Sequence, residues 1–267
     1  MSDYIKLFKK IGKTAKTTLE DLPDGAQITG KNPIGQKSIK ADIALEKLVA
    51  DFLREKTGGT LITEEAGKID LGKGEDVFVL DPLDGSSNYS RGVPYYGLII
   101  ARSAGFTYND ITHAYVINLA SGTEYFADEE GAFSGGKPLV PSPVTSLKDS
   151  VIEIDTFKNP RIYDTLRPLL KSVKDIRRIG ASGVALAHVA SGAHQIYLNP
   201  HNPISVVHAP GIYVAEKAGA LFTDCRGNFI NPKLDISVKI EFMVAANKEI
   251  QRQALSLMGV KTESEVA

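Results

Sequence analysis

Tryptophan is missing from this 267-residue chain, and cysteine occurs once, at Cys225. A single thiol excludes an internal disulfide framework and suits a reducing compartment, so a cytoplasmic setting is expected. Neither sign of charge dominates: 31 Lys and Arg stand against 32 Asp and Glu. The chain therefore lacks the basic field by which proteins gather nucleic acid, and no such partner is expected. No apolar run approaches the ~20 residues that cross a bilayer, and Met1-Ser2-Asp3-Tyr4 does not open a signal peptide, so no membrane partner is expected. Also missing are G-x-G-x-x-G, the P-loop, H-E-x-x-H and the G-x-S-x-G elbow.

What is present is ordinary soluble composition, with 43% apolar residues, enough to bury a large core. Ser2 to Leu22 has helical spacing, with Ser2 as cap and Ile5, Phe8, Ile11, Ala15 and Leu19 on one side. Pro23-Asp24-Gly25 stops it, and a polar loop runs to about Ser38. Asp42 begins a second amphipathic helix that Thr57-Gly58-Gly59 closes. Strands follow at Leu61–Thr63, Val77–Leu80, Tyr95–Ala101, His113–Ile117 and Thr123–Ala127, with a hairpin turn at Ser121-Gly122. The second half alternates. Strands are expected at Val151–Asp155, Ile176–Ile179, Ala193–Leu198, Leu221–Asp224 and Phe242–Ala246. Helices are expected at Asn159–Val173, Ser182–Ser191, Ile204–Ala218 and Asn247–Met258. Asn199-Pro200 and Asn202-Pro203 read as a turn. The irregular stretch Gly131–Leu147 divides residues 1–135, helices plus a large antiparallel sheet, from an α/β half at 136–267, the two packed as one unit.

The chemistry gathers at Asp81-Pro82-Leu83-Asp84-Gly85-Ser86-Ser87-Asn88. A buried strand runs into two carboxylates, a glycine and two hydroxyls, with Glu64-Glu65 at another strand end. Acids at loop ends are common on surfaces. A buried strand ending in two acids fixed by Pro82 instead offers oxygen ligands to a hard cation such as Mg²⁺. The Gly-Ser turn beside them offers backbone N–H groups where a phosphate could sit.

This stretch resembles the signature of the inositol monophosphatase / fructose-1,6-bisphosphatase superfamily of Mg²⁺-dependent sugar phosphatases. Its Leu-Asp-Gly-Ser-Ser-Asn spelling is nearer the fructose-bisphosphatases. Glu64-Glu65 and Asp42 stand where that family has further acids. The resemblance implies a layered α-β-α-β-α sandwich, α/β (α+β) in class, and a homodimer. It implies that Glu64 and Asp81, with the Leu83 carbonyl, bind one metal, and that Asp81 and Asp84 bind a second. Glu65 becomes an outer partner. Asp42 and Ser86 orient the attacking water, and Gly85, Ser86 and Ser87 hold phosphate. Substrate falls to Arg178, Gly180, Ala181 and Ser182.

The family also has a metal Asp in a Trp-Asp pair that begins a helix, and here the missing tryptophan becomes informative. The helix end is recognisable at Lys217-Ala218-Gly219-Ala220. Counting back puts Val206-Val207 at the pair, and counting forward from Ser191-Gly192-Ala193 puts Ser205 at the Asp. No Asp or Glu lies between Asp175 and Glu216. His208 is a poor Mg²⁺ ligand, and His194, His201 and His208 recur every seven residues, which reads by default as polar or helix-surface histidines, with a transition-metal cluster as the alternative. Leu198 or Asn199 replaces an acid that binds inositol hydroxyls, which argues against inositol as preferred substrate. Lys37, Lys40, Arg91, Arg177 and Arg178 are candidates for a second phosphate, whereas Tyr95, Tyr96 and Cys225 read as structural. Two functions follow. One is a phosphomonoesterase acting on a small phosphorylated sugar, polyol or nucleotide. The other is a degenerate relative that binds ligands or partners.

Overall fold

The alternation of Val77, Phe78, Val79 and Leu80 decides where the layers form. Side chains along a strand point to opposite faces in turn. Val77 and Val79 join one apolar cluster, and Phe78 and Leu80 join another. A sheet buried on both faces needs a cover on each, and helices supply both. A computed structural model gives these arrangements, and it describes residues 1–156 and 160–260.

In chain order the elements are α1 (Asp3–Asp21), β1 (Ile28–Lys31), β2 (Lys37–Ile39), α2 (Lys40–Lys56), β3 (Thr60–Thr63), β4 (Gly67–Asp70), β5 (Val77–Asp84) and α3 (Ser86–Tyr89). Then come β6 (Gly97–Ser103), β7 (Ile111–Asn118), β8 (Thr123–Asp128), β9 (Gly131–Ser134), β10 (Lys137–Pro138), β11 (Val151–Ile154) and α4 (Pro160–Ser172). The chain continues through β12 (Asp175–Arg177), α5 (Ser182–Ala190), β13 (Ile196–Ser205), α6 (Ala209–Ala218), β14 (Leu221–Asp224), β15 (Lys239–Ala245) and α7 (Lys248–Leu257).

Eight strands form one sheet in the order β10-β9-β8-β7-β6-β5-β3-β4, and five form a second in the order β12-β11-β13-β15-β14. Helices α1 and α2 cover the outer face of the large sheet, with Phe8, Leu45 and Val49 against Phe78, Leu80 and Tyr115. Helices α5 and α6 lie between the sheets, where Val184 and Ile212 meet Val79 and Ile99 on one side and Phe242 on the other. Helices α4 and α7 cover the small sheet, with Leu166, Leu169 and Ile250 against Ile196, Leu198 and Met243. The result is a five-layer α-β-α-β-α sandwich, as the family resemblance implies. Each fully buried Leu, Ile or Phe contributes about 1.5–3 kcal/mol.

Local chemistry explains the boundaries. Ser2 Oγ accepts the Ile5 N–H and starts α1. Helix α2 begins at Lys40 rather than Asp42, because the Asp42 carboxylate, in the first turn, accepts the Ile39 N–H at 2.8 Å. The polar loop before it contains the hairpin β1–β2. The irregular stretch after Gly131 supplies β9 and β10 to the large sheet.

The greatest departure lies at residues 196–208. The turn expected at Asn199-Pro200 and Asn202-Pro203 lies within one strand, β13, whose pairing with β15 slips between Asn199 and Ile204. The strand runs on to Ser205, and the single 3₁₀ turn Val206–His208 precedes α6. A helix from Ile204 is therefore wrong by five residues. Proline lacks the N–H that a ladder needs, so Pro200 and Pro203 mark an irregular strand as readily as a turn.

Candidate active site

Asp81 and Asp84 are three residues apart, which in a regular strand would send them to opposite faces. The pairing of β5 with β6 resolves this. Asp81 stands beside Ile99 and Asp84 beside Gly97, so three steps on β5 match two on β6. The extra residue is a bulge, and it turns both carboxylates into one cleft. Pro82, in the bulge, has no N–H to leave unpaired. The Asp81 Oδ1 atom accepts the Leu83 N–H at 3.1 Å, which fixes the carboxylate within the bulge.

Asp84 is held from across the molecule. The first turn of α5 gives it three amides: Ser182 N–H to Oδ1 at 2.8 Å, and Gly183 and Val184 N–H to Oδ2 at 2.7 and 3.3 Å. These are the unpaired donors that every helix start carries, together with the positive end of its dipole. A side chain at Gly183 would come 2.4 Å from Ile99 and 3.1 Å from the Asp84 carboxylate, so only glycine lets α5 approach so closely.

The remaining acids come from the parallel neighbour. Strand β3 pairs with β5 so that Thr63 lies beside Leu80, and the chain leaves β3 into Glu64-Glu65 next to Asp81. Glu46 of α2 fastens that turn from behind, accepting the Thr63 hydroxyl at 2.7 Å and the Ala66 N–H at 3.0 Å. The Ser38 hydroxyl bonds Glu65. Gly85, at φ +87°, makes the left-handed step from β5 into α3, and a Cβ there would sit 2.9 Å from that of Ala181.

These groups line a cleft of about 490 Å³. Asp42, Glu64, Glu65, Asp81, Leu83, Asp84, Gly85, Ser86, Ser87, Arg178, Gly180 and Ser182 all face it. Ala181 does not. It is buried against Gly85, so its side chain is packing. Of the cations considered for a second phosphate, Lys37 and Arg178 reach the cleft. Lys40 bonds the Pro23 carbonyl, Arg91 bonds Ser87, and Arg177 pairs with Asp175.

Burial sets the electrostatics. It pushes Asp42 up to about 7, aided by Glu65, Glu64 and Glu46. Burial likewise takes Glu65 to about 7, against the Ser38 bond. Asp81 is pushed well above the carboxylate range by burial first, then by Glu64, Asp84 and Asp42. Asp84 is raised by burial, while His208 and the α5 amides oppose the rise. Like charges crowded in a dry cleft favour protonation or a shared cation. Several carboxylates in one cleft, with Lys37, Arg178, His208 and Lys239 also lining it, fit a hard divalent ion through their oxygen atoms.

Three titratable residues outside the expected site also line the cleft. Asp155 faces the cleft near Arg178, 3.8 Å away, and the Ser182 hydroxyl at 3.4 Å. Lys239 approaches from β15. His208, read as an ordinary polar histidine, places Nε2 3.6 Å from Asp81 Oδ2 and 3.9 Å from Asp84 Oδ1. No local pattern marks the first two, because sheet pairing alone brings them in. The third had a signal: it lies one residue past the missing Asp. Val206 and Val207 are fully buried, whereas Ser205 lines the cleft. His194 lies beside Glu153 and His188, away from the cleft, and the His201 side chain falls outside the described residues, so among the described residues His194 and His208 do not share a site. The Cys225 thiol is pushed up to about 12 by burial, which leaves it inert at neutral pH. Leu198 and Asn199 are wholly buried and do not line the cleft.

A family model described as the inositol monophosphatase family matches residues 5–259. A fructose-1,6-bisphosphatase/inositol-1-monophosphatase of Archaeoglobus fulgidus is 29% identical over 262 residues, covering 96% of this chain and 98% of the relative. An inositol-1-monophosphatase, ImpA, of Mycolicibacterium smegmatis is 32% identical over 213 residues, 70% of each chain. The crystal structure of the extragenic suppressor protein suhB of Bartonella henselae superposes with a TM-score of 0.81 at 25% identity, covering 96% of this chain and 98% of that one.

Proposed function

The chain belongs to the inositol monophosphatase family, and from that premise we propose that it hydrolyses a phosphomonoester of a small sugar, polyol or nucleotide with Mg²⁺ as its metal. The observation that carries the proposal is the β5 bulge, which turns Asp81 and Asp84 into one cleft with Glu64, Glu65 and Asp42. Glu64, Asp81 and the Leu83 carbonyl would hold one cation, and Asp81 and Asp84 would share in holding a second. Glu65 would act as their outer partner. When bound, such cations polarise phosphoryl oxygens and make water more acidic.

The chain's own groups do the rest. Gly85, Ser86 and Ser87 cradle the phosphate where α3 begins. The Ser86 hydroxyl and the Asp42 carboxylate orient the attacking water, and Asp42, poised near neutrality, accepts a proton. The water oxygen bonds phosphorus as the ester P–O bond breaks, and the leaving oxygen takes up a proton. Arg178, Gly180 and Ser182 face the rest of the substrate. Lys37, Arg178 and Lys239 along the same cleft suit a substrate bearing charge beyond one phosphate.

No described helix is long and apolar enough to cross a membrane. We place the protein in the cytoplasm as a homodimer, with residues 1–135 and 136–267 folding as one unit. The test of the function is release of inorganic phosphate by the purified full chain with Mg²⁺, from a panel of sugar mono- and bisphosphates, inositol phosphates and nucleotides. Bisphosphate turnover is expected to exceed that of inositol monophosphate. No release from any member of the panel refutes it.

A further inference from the structure

The wall of the cleft that has lost its carboxylate carries a histidine aimed by the backbone. His208 ends the turn Val206–His208. Its Nδ1 lies 3.0 Å from the Ser205 carbonyl. A carbonyl oxygen only accepts, so Nδ1 carries the hydrogen, and in the neutral ring Nε2 keeps the lone pair. That Nε2 faces Asp81 Oδ2 at 3.6 Å and Asp84 Oδ1 at 3.9 Å. Both separations are too long for hydrogen bonds. They are close to what two donors show when they share one ion, since ligands ~2.1 Å from a tetrahedral metal lie roughly 3.4 Å apart.

The other two members are fixed equally well. Asp81 is 5% exposed and Asp84 3%. The Leu83 amide orients the first and the α5 amides orient the second. One ligand atom from each of the three residues falls within 4.8 Å of the others. A backbone carbonyl on the far nitrogen is one of the partners, with carboxylate and water, that metal-binding imidazoles ordinarily have.

We propose that Asp81, Asp84 and His208 form a mixed nitrogen–oxygen site that takes a first-row transition-metal dication of the Zn²⁺ class in preference to Mg²⁺. The inference deepens the phosphatase reading and rests on it for the cleft's second cation. Imidazole suits Zn²⁺ and Co²⁺, whereas Mg²⁺ favours oxygen donors. The cleft then has two unlike halves, with Glu64, Asp81 and the Leu83 carbonyl as the oxygen-only side.

The test is metal binding by the full chain, stripped of metal and titrated with Co²⁺, Zn²⁺ and Mg²⁺, with Co²⁺ visible absorption as the ligand readout. Wild type should bind Co²⁺ with an absorption band that changes in His208→Asn. Zn²⁺ affinity should fall at least about tenfold in His208→Asn and His208→Asp, and His208→Asp should gain Mg²⁺ affinity. Circular dichroism identifies any variant that fails to fold, and either folded variant suffices. An unchanged Co²⁺ spectrum and Zn²⁺ affinity in a folded variant overturns the site, even if phosphate is still released with Mg²⁺. If the His208 signature appears but no panel substrate yields phosphate with any of the metals, the metal site stands and the phosphatase reading falls.

Discussion

The Asn88 side-chain amide donates to the carbonyl of Ile179 at 2.8 Å, across 91 positions of sequence. The same nitrogen lies 2.8 Å from the Tyr95 carbonyl. One residue of the Asp81–Asn88 stretch thereby ties the phosphate turn to the segment 178–182 on the opposite wall. Asn88→Leu removes the donors and strands both carbonyls. A loss of about 1–3 kcal/mol is expected by urea unfolding. KM should rise more than kcat falls, because substrate-facing groups lose their anchor while the acids keep theirs.

Gly85→Ala forces a side chain into a left-handed backbone and against Ala181. The expected cost is about 2–3 kcal/mol. Thermal unfolding should report it as a lower Tm, with phosphate affinity lost alongside.

Asp81→Asn tests whether function opposes stability here. Burial and three neighbouring carboxylates disfavour the Asp81 charge. The neutral isostere should raise the metal-free Tm by about 2–4 °C and abolish turnover. A metal-free Tm that falls would mean that the carboxylates do not repel as described.

The pH dependence follows from Asp42 and Glu65, both raised to about 7. Between about pH 4 and 7 the folded chain retains protons that the unfolded chain has released. Their contribution to stability is therefore full below about pH 4 and is lost as pH rises through 7. Urea midpoints of metal-free protein at pH 5.5 and 8 should show the fall from these groups, and saturating Mg²⁺ should diminish it.

The layers were legible because burial writes itself into sequence as period: Phe78 and Leu80 alternate with Val77 and Val79, and α1 repeats its apolar face. The acids of β5 were legible because they follow one another in the chain. Asp155, Lys239 and His208 reach the cleft only through the five-stranded sheet and the turn after β13, and no local rule anticipates such long-range pairing. The strand through Asn199–Ser205 was obscured by its two prolines and its slipped register. His208 is legible in the sequence only as the neighbour of the missing Asp and a poor Mg²⁺ ligand, and the fold is what brings its Nε2 beside Asp81 and Asp84.

The central claim is that the paired carboxylates of the β5 bulge drive metal-dependent phosphate release. Phosphate release by wild type and by Asp84→Asn, each with and without divalent cation, tests it most directly. Asp84→Asn keeps the shape but loses the charge that the α5 amides hold. The account predicts cation-dependent release by wild type and a loss on the order of a hundredfold or more in the variant. Equal release by the two proteins, or release by wild type that is indifferent to cation, would contradict it.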